Sequence, residues 1–84
     1  MKPVVMYTTP ICGFCSAAKR LLDGKDVAYT EIDVMRDPAK KQEMMQRAGR
    51  HTVPQIFIGD EHVGGYDELS ALHRAGKLDP LLAD

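Results

Sequence analysis

The chain has 84 residues, 44% hydrophobic and 27% charged, and its 11 basic and 12 acidic residues leave a formal net charge of −1. That length implies one domain, residues 1–84, with a small core, and the balanced, unblocked charge offers no surface for nucleic acid or membrane. The start, MKPVVMYTTP, holds too few apolar residues for a signal segment and no later run approaches spanning length, so the expected setting is the cytosol.

In chain order, the consecutive apolar and β-branched residues of Pro3–Thr8 predict an inner strand. After Cys12, Phe14, Ala17, Ala18, Leu21 and Leu22 recur at helical spacing, with Gly24 expected as a left-handed stop. Val27–Val34 predicts a second strand. Asp37 as N-cap and Pro38 at the first helical position open a second helix, which turns Met44, Met45 and Ala48 inward and stops at Gly49. QIFI and HVGG flank Gly59, Asp60 and Glu61 as an antiparallel hairpin. A last helix, DELSALHRAG, is expected to be capped by Asp67, to carry Leu69 and Leu72 on one face and to end at Gly76. The order βαβαββα predicts an α/β fold: a parallel pair joined by a right-handed crossover plus an antiparallel pair, with helices on the faces of the mixed sheet.

Cys12 and Cys15 are the only thiols. A disulfide across so short a loop adds only about 2 kcal/mol of chain-entropy stabilisation, so stability is a poor reason for the pair. Chemistry is a better one. At the start of a helix Cys12 lies near unpaired amides and the positive end of the helix dipole, which favours its thiolate, while Cys15, one turn on, shares its face and lies deeper. Such a pair suits attack by one thiol and resolution by the other. A structural zinc site would need about four ligands, and His51, His62 and His73 make no second paired knuckle. An inert buried pair and an iron–sulfur cluster shared between two chains remain as alternatives at this level. The five methionines are expected as core filler; His62 and His73 read as surface residues, and His51 as a solvated loop histidine near the expected substrate loop.

Three segments in this order, YTTPICGFC, HTVPQIFI and VGGYDEL, resemble the glutaredoxin family over essentially the whole chain. The resemblance implies a thioredoxin-like fold, a four-stranded mixed sheet flanked by three helices. It also implies a glutathione-dependent oxidoreductase that reduces protein disulfides and glutathione mixed disulfides, with Cys12 as nucleophile, Cys15 as resolving thiol and a redox-active Cys12–Cys15 disulfide. Pro54 would be cis, with the Val53 backbone opposite the sulfur. Glutathione would rest on Cys12, Phe14, Thr52, Val53, Pro54, Gly65, Tyr66 and Asp67, its γ-glutamyl carboxylate on amides at the start of the last helix and its ammonium on Asp67. The implied partners are glutathione and glutathionylated or disulfide-containing proteins, and the implied state is a monomer.

Two other readings accompany it: a thioredoxin-like reductase served by a flavoprotein, and a dimer holding a [2Fe–2S] cluster through Cys12 of each subunit and two glutathiones. The Gly13-Phe14 pair motivates the second, since it resembles the single-thiol CGFS group. Gly13 and Phe14 also depart from the Pro-Tyr of many dithiol members, Thr9 stands where a lysine is common, and Tyr66 replaces a third cysteine found in some relatives. Lys19, Arg20, Gln42 or Arg50 would have to supply the missing cationic contact.

Overall fold

The structure, a computed structural model, describes residues 1–83; Asp84, the last residue of the expected domain, lies outside the described residues. Its elements are β1 (Val4–Thr8), α1 (Gly13–Gly24), β2 (Thr30–Asp33), α2 (Pro38–Ala48), β3 (Gln55–Ile58), β4 (Glu61–Gly64), α3 (Tyr66–Arg74) and α4 (Leu78–Leu82). The sheet order is β2-β1-β3-β4, with β1 parallel to β2 and antiparallel to β3, and β3 antiparallel to β4. This is the expected mixed sheet and thioredoxin-like fold.

Alternation along the two central strands divides the core. Val4 and Met6 of β1 and Ile56 and Ile58 of β3 face α1, α3 and α4, where they meet Ala18, Leu22, Leu69, Leu78 and Leu82. Tyr7 and Phe57 face the other way, onto Met44 of α2 and Val34. Truncating any one of these large side chains to alanine would cost about 2–5 kcal/mol, a large share of a small domain's stability. The buried Tyr7 hydroxyl donates to Glu43 Oε2 at 2.5 Å and accepts from Arg47 Nη1 at 2.8 Å, which ties α2 to the sheet.

Helix α2 forms as its sequence dictates: Asp37 Oδ1 accepts from Ala39 N at 3.1 Å and Lys40 N at 3.3 Å, and Gly49, at φ 69°, ends the helix with its N–H on Met45 O. Several expectations are corrected. Gly24 is the last residue of α1, not a left-handed stop; the left-handed residue is Asp26, at φ 57°, and Val27 N–H closes the turn onto Leu22 O. Strand β2 therefore starts at Thr30, where pairing with Val5 begins, and Val27 serves the core from outside the sheet. Asp67 is not the N-cap of α3. Gly65 is, and the carboxylate of Glu68 reaches back to Gly65 N–H at 2.7 Å. Met44 is core, but Met45, Met35 and Met1 are exposed, so the methionines are only in part filler. A fourth, short helix, α4, adds Leu78 and Leu82 to the core; Pro80 lies in its first turn, where no intrahelical N–H is needed.

Candidate functional site

Cys12 sits at the junction the sequence indicates, as the N-cap of α1 with extended backbone. Its Sγ accepts the Cys15 N–H at 3.1 Å and lies 3.7 Å from the carbonyl oxygen of Val53, 41 residues away in sequence. The two contacts differ in kind. An amide donor stabilises a sulfur anion, whereas the carbonyl partners only the protonated thiol. Cys12 is partly exposed and Cys15 is only 1% exposed. Burial first, and then the hydrogen bond to Cys12, push the Cys15 thiol up to about 12. Cys12 is thus the sulfur placed to meet a solute, and Cys15 is held protonated beneath it.

The Val53–Pro54 bond is cis, as the resemblance implies. Thr52, Val53 and Pro54 form one wall of a cleft of about 280 Å³, and Phe14, Gly65, Tyr66 and Asp67 line it from the starts of α1 and α3. Seven of the eight residues expected to hold glutathione line this cleft; the eighth, Cys12, does not, but its sulfur contacts the carbonyl oxygen of Val53, which does. The rings of Phe14 and Tyr66 stack at 6.3 Å, and Phe14 is 64% exposed. At Gly64 the backbone, with φ 115°, would strain any side chain, which would also displace the Glu68 carboxylate, whereas at Gly65, with φ −95°, a side chain would make only ordinary contact with the Pro54 carbonyl oxygen. Of the Gly-Gly pair, Gly64 is the one whose backbone angle requires glycine.

The same cleft includes Arg50 and Glu68, which pair at 3.2 Å. Of the four residues named as substitutes for the absent lysine, Arg50 is the one lining this cleft; Lys19 pairs instead with Glu31 at 2.7 Å. Glu68 was missed by the sequence, although its spacing three residues after Gly65 is the capping-box signal. The Gly65 N–H, and then Arg50, hold its carboxyl below the usual range. On the far side of Val53, a second depression of about 430 Å³ brings together Thr9, Lys41 and the exposed His51. His73 is exposed, as expected, but His62 is half-buried and hydrogen-bonded to Gln55, contrary to its reading as a surface residue. No helix among the described residues is long and apolar enough to cross a membrane.

This geometry matches known proteins closely. The family model described as glutaredoxin matches residues 4–63. A glutaredoxin of Pseudomonas aeruginosa is 53% identical over 83 residues, 99% of each chain. The solution structure of glutaredoxin from Brucella melitensis is 51% identical, with a TM-score of 0.86 over 98% of this chain and 89% of that one. The crystal structure of a buckwheat glutaredoxin–glutathione complex is 37% identical, with a TM-score of 0.88 over 96% of this chain and 76% of that one. The chain belongs to the glutaredoxin family of thiol–disulfide oxidoreductases.

Proposed function

We propose that the chain reduces glutathione mixed disulfides and protein disulfides with glutathione as reductant, Cys12 acting as nucleophile and Cys15 as resolving thiol. The observation that carries this reading is the Cys12 sulfur, held by the Cys15 N–H at 3.1 Å and facing the Val53 edge of the cleft. The glutathione bound by the buckwheat relative supports the choice of reductant.

The thiolate of Cys12 attacks the glutathionyl sulfur of a mixed disulfide; the Cys12–glutathione bond forms, and the substrate thiolate leaves with the bond's electron pair and takes up a proton. A second glutathione thiolate then attacks the glutathionyl sulfur, releasing glutathione disulfide and the Cys12 thiolate. Alternatively, Cys15 gives up its proton and attacks Cys12, forming the Cys12–Cys15 disulfide and expelling glutathione. An amide donor on the Cys12 sulfur favours each step in which that sulfur departs. Thr52, Val53 and Pro54 offer a backbone edge to glutathione, the Tyr66 and Asp67 amides at the start of α3 receive its γ-glutamyl carboxylate, and exposed Asp67 pairs with its ammonium. A cytosolic setting supplies reduced glutathione.

A [2Fe–2S] cluster takes four ligands, and with Cys15 buried one chain presents a single accessible thiol. One chain does not fit that group, and no step here involves it. The test is a glutathione-coupled mixed-disulfide assay, with a flavoprotein reductase as the alternative electron source. Cys12→Ser should abolish turnover and Cys15→Ser should retain most of it. Equal loss in both variants, or faster reduction by the flavoprotein than by glutathione, would overturn the reading.

A further inference from the structure

Gln55 heads β3, immediately after Pro54, and is fully buried. Its amide is bonded at both ends. Nε2 lies 3.0 Å from the Thr52 carbonyl oxygen and 3.2 Å from the Thr52 hydroxyl, and Oε1 lies 2.7 Å from Nε2 of His62 on β4. Chemistry fixes the orientation of this amide. A backbone carbonyl only accepts, so the edge facing Thr52 O is the NH2 and the edge facing His62 is the oxygen. That oxygen needs a donor opposite, so His62 Nε2 carries a hydrogen.

The imidazole is fixed on its flank as well. It stacks on the Phe57 ring at 4.8 Å, and the Arg47 guanidinium covers that ring at 4.0 Å. Burial first, then the charges of Arg50 and Arg47, lower the histidine's proton affinity against the opposing pull of Glu68. The ring is therefore neutral near pH 7, with its single hydrogen on Nε2.

The consequence falls on the Thr52–Val53 peptide. It is trans, and in a trans peptide the C=O and N–H point in opposite directions. With Thr52 O tied inward to Gln55, the Val53 N–H is directed away from the core, and it has no partner among the described residues. We propose that His62 is a positioning residue: its Nε2–H holds the Gln55 amide, which holds the Thr52 carbonyl inward and so presents the Val53 N–H to the peptide of a bound glutathione. This rests on the reading of Val53 as the substrate edge. Neither Gln55 nor His62 is hydrogen-bonded to the Cys12 sulfur.

Two substitutions separate positioning from packing. His62→Phe keeps a ring on Phe57 and removes the donor, whereas His62→Gln places an amide donor near the position of Nε2. In the glutathione-coupled assay His62→Phe should raise KM for the mixed disulfide about fivefold, the worth of roughly one hydrogen bond, with kcat within about twofold. His62→Gln should restore most of the loss, and the Cys12 alkylation rate should be unchanged in both. An unchanged KM in His62→Phe, or a loss in His62→Gln as large as in His62→Phe, overturns the proposal. The wild-type protein gives a check that needs no variant to fold: nitrogen-detected NMR of His62 should show the Nε2–H tautomer, and the Nδ1–H tautomer would refute the relay. If wild type fails to use glutathione, the proposed function falls. Positioning is then decided by the Val53 amide resonance in the nitrogen–proton correlation spectrum, which should shift in His62→Phe and return toward the wild-type position in His62→Gln; one resonance position in all three proteins refutes it.

Discussion

Cys15 should be almost inert toward alkylation in the reduced, folded protein. Its thiol, pushed up to about 12 by burial and then by Cys12, is ionised to about one part in 10⁵ at pH 7, against about 3% for a free thiol of pKa about 8.5. The deficit in thiolate is about 3,000-fold. A more basic thiolate is a better nucleophile, and with a Brønsted slope of about 0.4–0.5 over about 3.5 pH units it recovers only about 25- to 55-fold. The net expectation is labelling about 10²-fold slower than a free thiol, before the 1% exposure slows it further. The assay is timed iodoacetamide treatment at pH 7 with each cysteine peptide quantified by mass spectrometry, the urea-unfolded chain providing the free-thiol rate. Capping Cys12 as a mixed disulfide removes the hydrogen bond and charge through which Cys12 raises its neighbour, so the Cys15 rate should then increase. That ordering is what a resolving thiol requires: silent before attack, released after it. Folded-state labelling of Cys15 within about tenfold of the unfolded rate, or no acceleration after capping, would refute the reasoning.

Three further outcomes are expected from the scaffold. Gly64→Ala places a side chain at φ 115° and should cost about 1–3 kcal/mol in urea unfolding; a loss under half a kcal/mol would contradict the backbone strain at this position. Glu68 has a folded pKa below its unfolded value of about 4.3. The stability it contributes is therefore present above that value and lost as pH falls through the folded pKa. The urea midpoint of wild type should decline below about pH 4.5, and Glu68→Gln should start lower at pH 7 and decline less steeply. Part of the slope will remain, because Lys19 and then Thr8 also hold Glu31 below its usual range; parallel curves would exclude the Glu68 contribution. Asp37→Ala removes the side-chain cap on two amides of α2 and should destabilise by about 1 kcal/mol, read from the same urea midpoints.

The sequence made legible whatever depends on near neighbours. The inner strand, the Asp37–Pro38 helix start, the Gly49 stop and the placement of Cys12 at a helix amino end all follow from capping, periodicity and backbone preference within a few residues. The resemblance carried by YTTPICGFC, HTVPQIFI and VGGYDEL supplied the pairing of Cys12 with the Val53 edge, which spacing alone does not yield across 41 residues. Local rules also misled. Asp67 looked like the cap of α3 because aspartate is a strong cap, but the helix starts two residues earlier than that cap implies, with Gly65 at the N-cap and the carboxylate of Glu68 bonded to its amide.

Tertiary structure alone decided which polar side chains serve the site. Strand pairing sets His62 opposite Phe57, with a register shift between Ile56 and Phe57, and the half-buried imidazole that results finds the Gln55 amide; periodicity had read the same residue as solvated. Arg50 reaches the cleft and Lys19 does not, because Lys19 is held by Glu31 on β2. A five-residue helix at Leu78–Leu82 gave no periodic signal and is stabilised by the core it closes. Local chemistry fixed where the backbone turns and where the sulfur stands, since those energies are set within one turn of chain. The surroundings of each buried polar group arose only on packing, because they depend on which distant segment comes to rest against it.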